Sequence, residues 1–181
     1  MTEYKQYIRS LADQDRNVVF YNADEHHGAF VMGTMFEKAN KNIKLFSGCF
    51  SGDISGKQEY KKGLEMFLRG GGKLQILLEK DTYEKYKREE NGEPKIFDLL
   101  RMYAFLNKNQ VQIKLHSFSV RNKETNREMH FMVADDKMYR IEDDTEKFSA
   151  TGNFNDIKRS SELKNIFDGI FNDVESTLVE L

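Results

Sequence analysis

The stretch EMHFMVADDKMYRI, Glu128 to Ile141, decides how this chain is read. Two strand-like runs flank the pair Asp135–Asp136, and short polar residues of that kind favour a turn, so the segment is expected to form a hairpin. Side chains alternate along a strand. Glu128 and His130 therefore belong to one face, and Met129 and Phe131 to the other.

Working outward, KFSATGNFN (Lys147–Asn155) reads as a third short strand. After it, Leu163, Ile166, Phe167, Ile170, Phe171, Val174, Leu178 and Leu181 fall on one apolar stripe that predicts a long C-terminal helix. Upstream, AFVMGTMFEKAN (29–40) has helical spacing and runs into the strand-like NIKLFSGCF. The helix of Tyr60, Leu64, Phe67 and Leu68 is stopped by Gly70–Gly72 before the strand KLQILLE. Two more helices follow, DTYEKYKREE and KIFDLLRMYAFLNKN, the second opened by Pro94. A strand VQIKLHSF and a polar loop SVRNKETNR then lead into the hairpin. Strands interleaved with helices predict an α/β fold, a mixed sheet sandwiched between helices, with the consecutive short strands adding a meander.

A chain of 181 residues fits a single domain, 1–181, with enough length to bury a core. Charged residues make up 32% and apolar ones 39%, and the net charge is −2, which argues against disorder and against bulk attraction to nucleic acid or anionic lipid. Local basic groups, YKKGLEMFLRGGGK and KYKRE, are diluted by acids. Cys49 is the single cysteine, so no internal disulfide is expected, and the residue reads as a small buried hydrophobe. No segment approaches the ~18 apolar residues of a membrane span, and the first residues lack a signal-peptide pattern. A cytoplasmic location is the expectation.

HFMVADDKMYRI followed by SATGNFND resembles the signature region of the phospholipase D superfamily, in which a His-x-Lys-x4-Asp strand turns into a second strand and a Gly-Ser-x-Asn segment. The order of elements resembles that family over roughly residues 26–175. With Asp135 on the motif aspartate, His130 takes the lysine position and Glu128 the histidine position. The alternative register, His130 on the motif histidine, puts Met132 on the lysine and Lys137 on the aspartate and loses the turn. The resemblance implies a phosphodiester-handling fold with a degenerate motif. It also implies a homodimer, because the family's mechanism joins two motif copies, one histidine acting as nucleophile and the other as general acid, and this chain carries one copy.

Two functions from different classes follow. One is a non-catalytic or altered member that binds a phosphodiester, nucleic acid or a protein partner. The other is an active phosphodiesterase or nuclease in which His130 attacks and Glu128 orients it. The missing lysine favours the first. No cofactor is expected, although two His130 and two Glu128 around a dimer axis would suit a divalent metal. By the same resemblance Thr151 and Asn153 are candidate phosphate contacts, and Glu162 or Asp168 a supporting acid. His116 ends a strand that would neighbour the motif strand. His26 and His27, beside Asp24, are adjacent and diverge in any regular structure, so the segment reads as a helix start capped by Asp24.

Overall fold

The computed structural model describes residues 2–117, 119–121, 126–145 and 147–181. Phe118 of the expected strand and residues 122–125 of the expected polar loop lie outside them. The order of elements begins with α1 (Thr2–Asp13), β1 (Phe20–Asn22), α2 (Glu25–Lys38), β2 (Asn42–Ser47), α3 (Gln58–Arg69) and β3 (Lys73–Glu79). Next come α4 (Lys80–Glu89), α5 (Ile96–Leu106), β4 (Val111–His116), β5 (His130–Ala134), β6 (Met138–Asp144), β7 (Ser149–Asn153), α6 (Ile157–Phe171) and β8 (Thr177–Leu178). The strands form one mixed sheet in the order β1-β7-β6-β5-β2-β3-β4-β8, parallel where β2, β3 and β4 are joined by helices and antiparallel elsewhere. This is the α/β sandwich the sequence predicts.

Strand alternation divides the core in two. Ile43, Leu45, Ile76, Leu78, Met132 and Ala134 pack with α1, α2, α3 and α5 on one face. Phe46, Leu77, Phe131, Val133, Tyr139 and Ile141 pack with Leu163, Phe167 and Phe171 of α6 on the other. Helix α2 is buried through its middle, from Gly28 to Phe36, because it lies between the sheet and α3. Its crossing with α3 depends on two glycines. A Cβ on Gly63 would stand 2.3 Å from the Gly33 carbonyl oxygen, so the backbones touch directly.

The hairpin closes through Asp135–Lys137, with left-handed φ of 50° at Asp135 and 58° at Asp136, a conformation aspartate tolerates better than most residues. The Asp135 carboxylate accepts from the backbone N–H groups of Asn40 (2.6 Å), Lys41 (2.9 Å) and Asn42 (3.0 Å). It thereby ties the turn to the start of β2.

Three elements differ from the sequence reading. The sequence reading does not include helix α1 or strand β1: a three-residue strand carries little periodicity, whereas α1 does place Tyr4, Ile8, Leu11 and Ala12 at helical spacing and went unread. The C-terminal helix stops at Phe171 instead of running to the end. Asn172 caps it, Val174 is 98% exposed, and Leu178 pairs with Lys114 in β8. Among the described residues no helix is long and apolar enough to cross a membrane.

Gly63→Ala is expected to force α2 and α3 apart at a cost of ~2 kcal/mol, the usual scale of overpacking, and a thermal melt unchanged from wild type would contradict the contact.

Candidate functional site

A cavity of about 310 Å³ opens at the C-terminal ends of β2 and β3, where open α/β sheets place their ligand crevices. It is lined by the loop after β2 (Gly48 to Ser55), by Glu79 and Thr82, and by Glu128, His130, Arg140 and Glu142 from the meander. The register of the hairpin assembles the polar group. His130 pairs directly with Glu142 across β5 and β6, and Arg140 pairs with Met132, so all three side chains share the α2 face. Asn22 of β1 joins from two strands away.

His130 Nδ1–H donates to Glu142 Oε2 at 3.1 Å. Arg140 donates through Nη2 to Glu142 Oε1 (3.1 Å) and through Nε to Asn22 Oδ1 (3.0 Å). Asn22 and Arg140 both donate to the Phe148 carbonyl. From the other side, Glu79 Oε2 accepts from Thr82 Oγ1 (3.1 Å) and stands 3.9 Å from His130 Nε2, an ionic contact longer than a hydrogen bond. Gly48 permits this approach, because a Cβ there would lie 3.1 Å from Thr82 Cγ2 and 3.2 Å from His130 Cε1. Glu79, Arg140 and Glu142 are each less than a tenth exposed.

These contacts set the protonation states. Burial disfavours a charged imidazole, but the hydrogen bond to Glu142 and the charges of Glu142 and Glu79 outweigh it and carry the His130 pKa up to about 9. Burial likewise pushes both carboxyls up. The imidazolium, helped by the Thr82 and Ser119 hydroxyls, outweighs it at Glu79, and the imidazolium with the Arg140 guanidinium outweighs it at Glu142, so both are held below the ordinary carboxylate value. The site at neutral pH is thus Glu79⁻, His130⁺, Glu142⁻ and Arg140⁺. Among the described residues, His130 Nε2 and Glu79 Oε1 are buried and have no hydrogen-bond partner.

The residues expected from sequence are only partly brought together. Glu128 lines the cavity with His130, but its carboxylate pairs with Arg121 Nη2 at 3.2 Å, and the acid that orients His130 is Glu142. Thr151 and Asn153 pair with Ile141 and Tyr139, which places them on the opposite face of the sheet from His130. Asn153 bonds Asn17 and the Asn155 backbone, leading the chain into α6. Glu162 lies on α6 beyond that face and pairs with Arg159, and Asp168 pairs with Lys44. His116 is buried, opposite Glu79 in the β3–β4 ladder. Cys49 lines the cavity, half-buried, and burial raises its thiol pKa. His27 stacks on Tyr4 with ring centroids 3.9 Å apart, while His26 turns out toward Glu25, and Asp24 caps α2.

Glu142, Arg140, Glu79 and Asn22 were missed. One signal pointed to the first two. In KMYRIED the apolar Tyr139 and Ile141 alternate with Arg140 and Glu142, so the polar face of β6 must adjoin the His130 face of β5.

No protein-family model and no curated protein matches the chain. Solved structures do. NucT from Helicobacter pylori superposes with a TM-score of 0.62 at 12% identity, over 91% of this chain and 99% of that one. Nuc from Salmonella typhimurium, a phospholipase D family member, gives a TM-score of 0.58 at 10% identity, over 92% and 100%. The chain has the fold of the phospholipase D family. TrmBL2, an archaeal chromatin protein with a novel mode of DNA binding, superposes on the chain with a TM-score of 0.61 at 14% identity. This chain is covered over 98% of its length and spans 60% of TrmBL2. Within the phospholipase D-like fold, no group of three or more His, Cys, Asp or Glu among the described residues is placed to hold a metal ion.

The charge on His130 has a consequence for stability. Its folded pKa of about 9 lies above the ordinary 6.5, so its contribution is complete below pH 6.5 and is lost as the pH rises through 9. The wild-type Tm should fall across that window, and the Tm of His130→Gln should not follow it. A flat wild-type profile would contradict the imidazolium.

Proposed function

We propose that this phospholipase D-like chain binds nucleic acid or another phosphodiester-containing ligand without cleaving it, and does so as a homodimer. The observation that carries the reading is the position of His130 between Glu142 and Glu79. A histidine nucleophile needs a free lone pair, and with a pKa of about 9 roughly one molecule in a hundred has it at pH 7. The two carboxylates also oppose the approach of a phosphate to the ring. In the register that puts Asp135 on the motif aspartate, His130 holds the lysine position, so a cation is kept where the family has one while the nucleophile is replaced by Glu128. Nucleic acid is favoured because a DNA-binding chromatin protein shares the fold. With a net charge of −2, binding depends on local cations; Lys57 and Lys147 stand beside the segments that line the cavity, each 3.8 Å from an acid, Glu25 and Asp144, with which a phosphate would have to compete.

A second reading, an active phosphodiesterase, is favoured by one observation. Glu142 holds Nδ1 of His130, the arrangement that orients a histidine for attack, and His130 lines the cavity. Two such sites meeting across a dimer axis would complete it, with Glu142 in the orienting part assigned to Glu128 from sequence.

Purified protein is expected to sediment as a dimer at micromolar concentration. It should bind a labelled single-stranded oligonucleotide with an affinity that falls as salt rises, and release no p-nitrophenol from bis(p-nitrophenyl) phosphate. Turnover that climbs toward pH 9 and disappears in His130→Ala would establish the phosphodiesterase instead.

A further inference from the structure

We propose that the cavity beside His130 receives a single unstacked nucleobase, and that the phosphates of the strand stay outside it. The proposal rests on the nucleic-acid reading above and names the part of the ligand that enters.

Three observations converge. The first is the pair of unmatched atoms. His130 Nε2 and Glu79 Oε1 are buried, belong to side chains that line the same cavity, and have no partner within hydrogen-bond distance among the described residues, although the Thr82 and Ser119 hydroxyls also stabilise the Glu79 carboxylate. The Glu79 side chain is only 9% exposed, and its other oxygen lies 3.9 Å from Nε2. An unmatched N–H donor beside an unmatched carboxylate acceptor calls for a group that presents an acceptor next to a donor. Every nucleobase does so on its Watson–Crick edge, through a ring nitrogen or carbonyl beside an N–H.

The second observation is charge. Glu79 and Glu142 contribute −2, His130 and Arg140 contribute +2, and Glu128 is matched by Arg121. The cavity offers no net positive charge to an anion, and a phosphate at Nε2 would stand against the Glu79 carboxylate. A neutral ring with a donor for Glu79 meets no such opposition. Third is size and lining. At about 310 Å³ the cavity sits at the small end of ligand sites, room for one ring system and not for a strand. Apart from the charged group its walls combine apolar Met32, Leu45, Phe50, Ile54 and Tyr60 with the hydroxyl residues Ser47, Ser51, Ser55 and Thr145, a mixed lining of the kind that holds extruded bases.

Cys49 lines the cavity and reports on its occupancy. The test measures fluorescence anisotropy and the rate of Cys49 alkylation with two single strands of equal length. One has mixed sequence, and in the other tetrahydrofuran abasic residues replace every base. The base-bearing strand is expected to bind about tenfold more tightly and to slow alkylation severalfold, while the abasic strand gives no protection. Glu79→Gln should narrow the difference between the strands. Equal binding and equal protection by both strands would overturn the inference in favour of sugar or phosphate in the cavity, and would leave the nucleic-acid reading standing. Protection by free nucleosides with no binding of either strand would overturn that reading and keep the cavity assignment. No protection by strands or nucleosides would overturn the assignment itself.

Discussion

The hydrogen bond between His130 and Glu142 depends on the length of one turn. With the connection Asp135–Lys137, Ala134 faces Met138 and His130 faces Glu142. A connection one residue shorter would set Ile141 opposite His130, and the carboxylates and guanidinium of β6 would turn into the apolar cluster under α6. Asp135 prevents the slip. Its carboxylate holds three consecutive backbone N–H groups at Asn40–Asn42, and its own N–H donates to the Asn42 carbonyl, so the turn is fixed against the neighbouring strand β2. The charge network, the two-sided core and the cavity all follow from that register.

The network is one of close electrostatic balance. Burying an ion pair commonly costs as much as the attraction returns, whereas removing one partner of a buried pair is strongly destabilising, on the order of 3–5 kcal/mol. Here Arg140 is held by Glu142, Asn22 and the Phe148 carbonyl, and Glu142 by Arg140 and His130. A loss at any one position leaves a buried charge at the next. Strand β1, only three residues long, is kept in the sheet partly because Asn22 closes this network at its far end.

Sequence and structure agree best where periodicity is strong. Helix α2, strand β2, helix α3 and strand β3 were legible because apolar residues recur at helical spacing and then run together, with glycines marking the stop. The hairpin was legible from two aspartates between strand-like runs. What escaped has a physical reason in each case. Thr151 and Asn153 match a motif in one dimension, but pairing with Ile141 and Tyr139 sends their side chains through the sheet, away from His130. The apolar stripe through Val174 and Leu178 has helical spacing, yet Asn172 ends the helix and Ser176 hydroxyl donates to the Ile170 carbonyl, closing the turn that starts β8. Glu79 gave no signal because it reaches the site from a different strand, past a glycine whose missing side chain makes the space.

The same geometry separates what the fold requires from what it does not. Glu142 alone gives His130 a carboxylate, and with Arg140 it forms a closed chain of donors and acceptors. Glu79 adds a second buried carboxylate to a ring that already has one, and one of its oxygens goes without a partner. Architecture does not explain that oxygen, since an apolar side chain ending β3 would line the cavity without the desolvation cost. The imidazolium and the Thr82 and Ser119 hydroxyls offset part of that cost, and a donor entering the cavity would offset more of it. Glu79 is therefore the residue whose burial says most about the chemistry of the cavity.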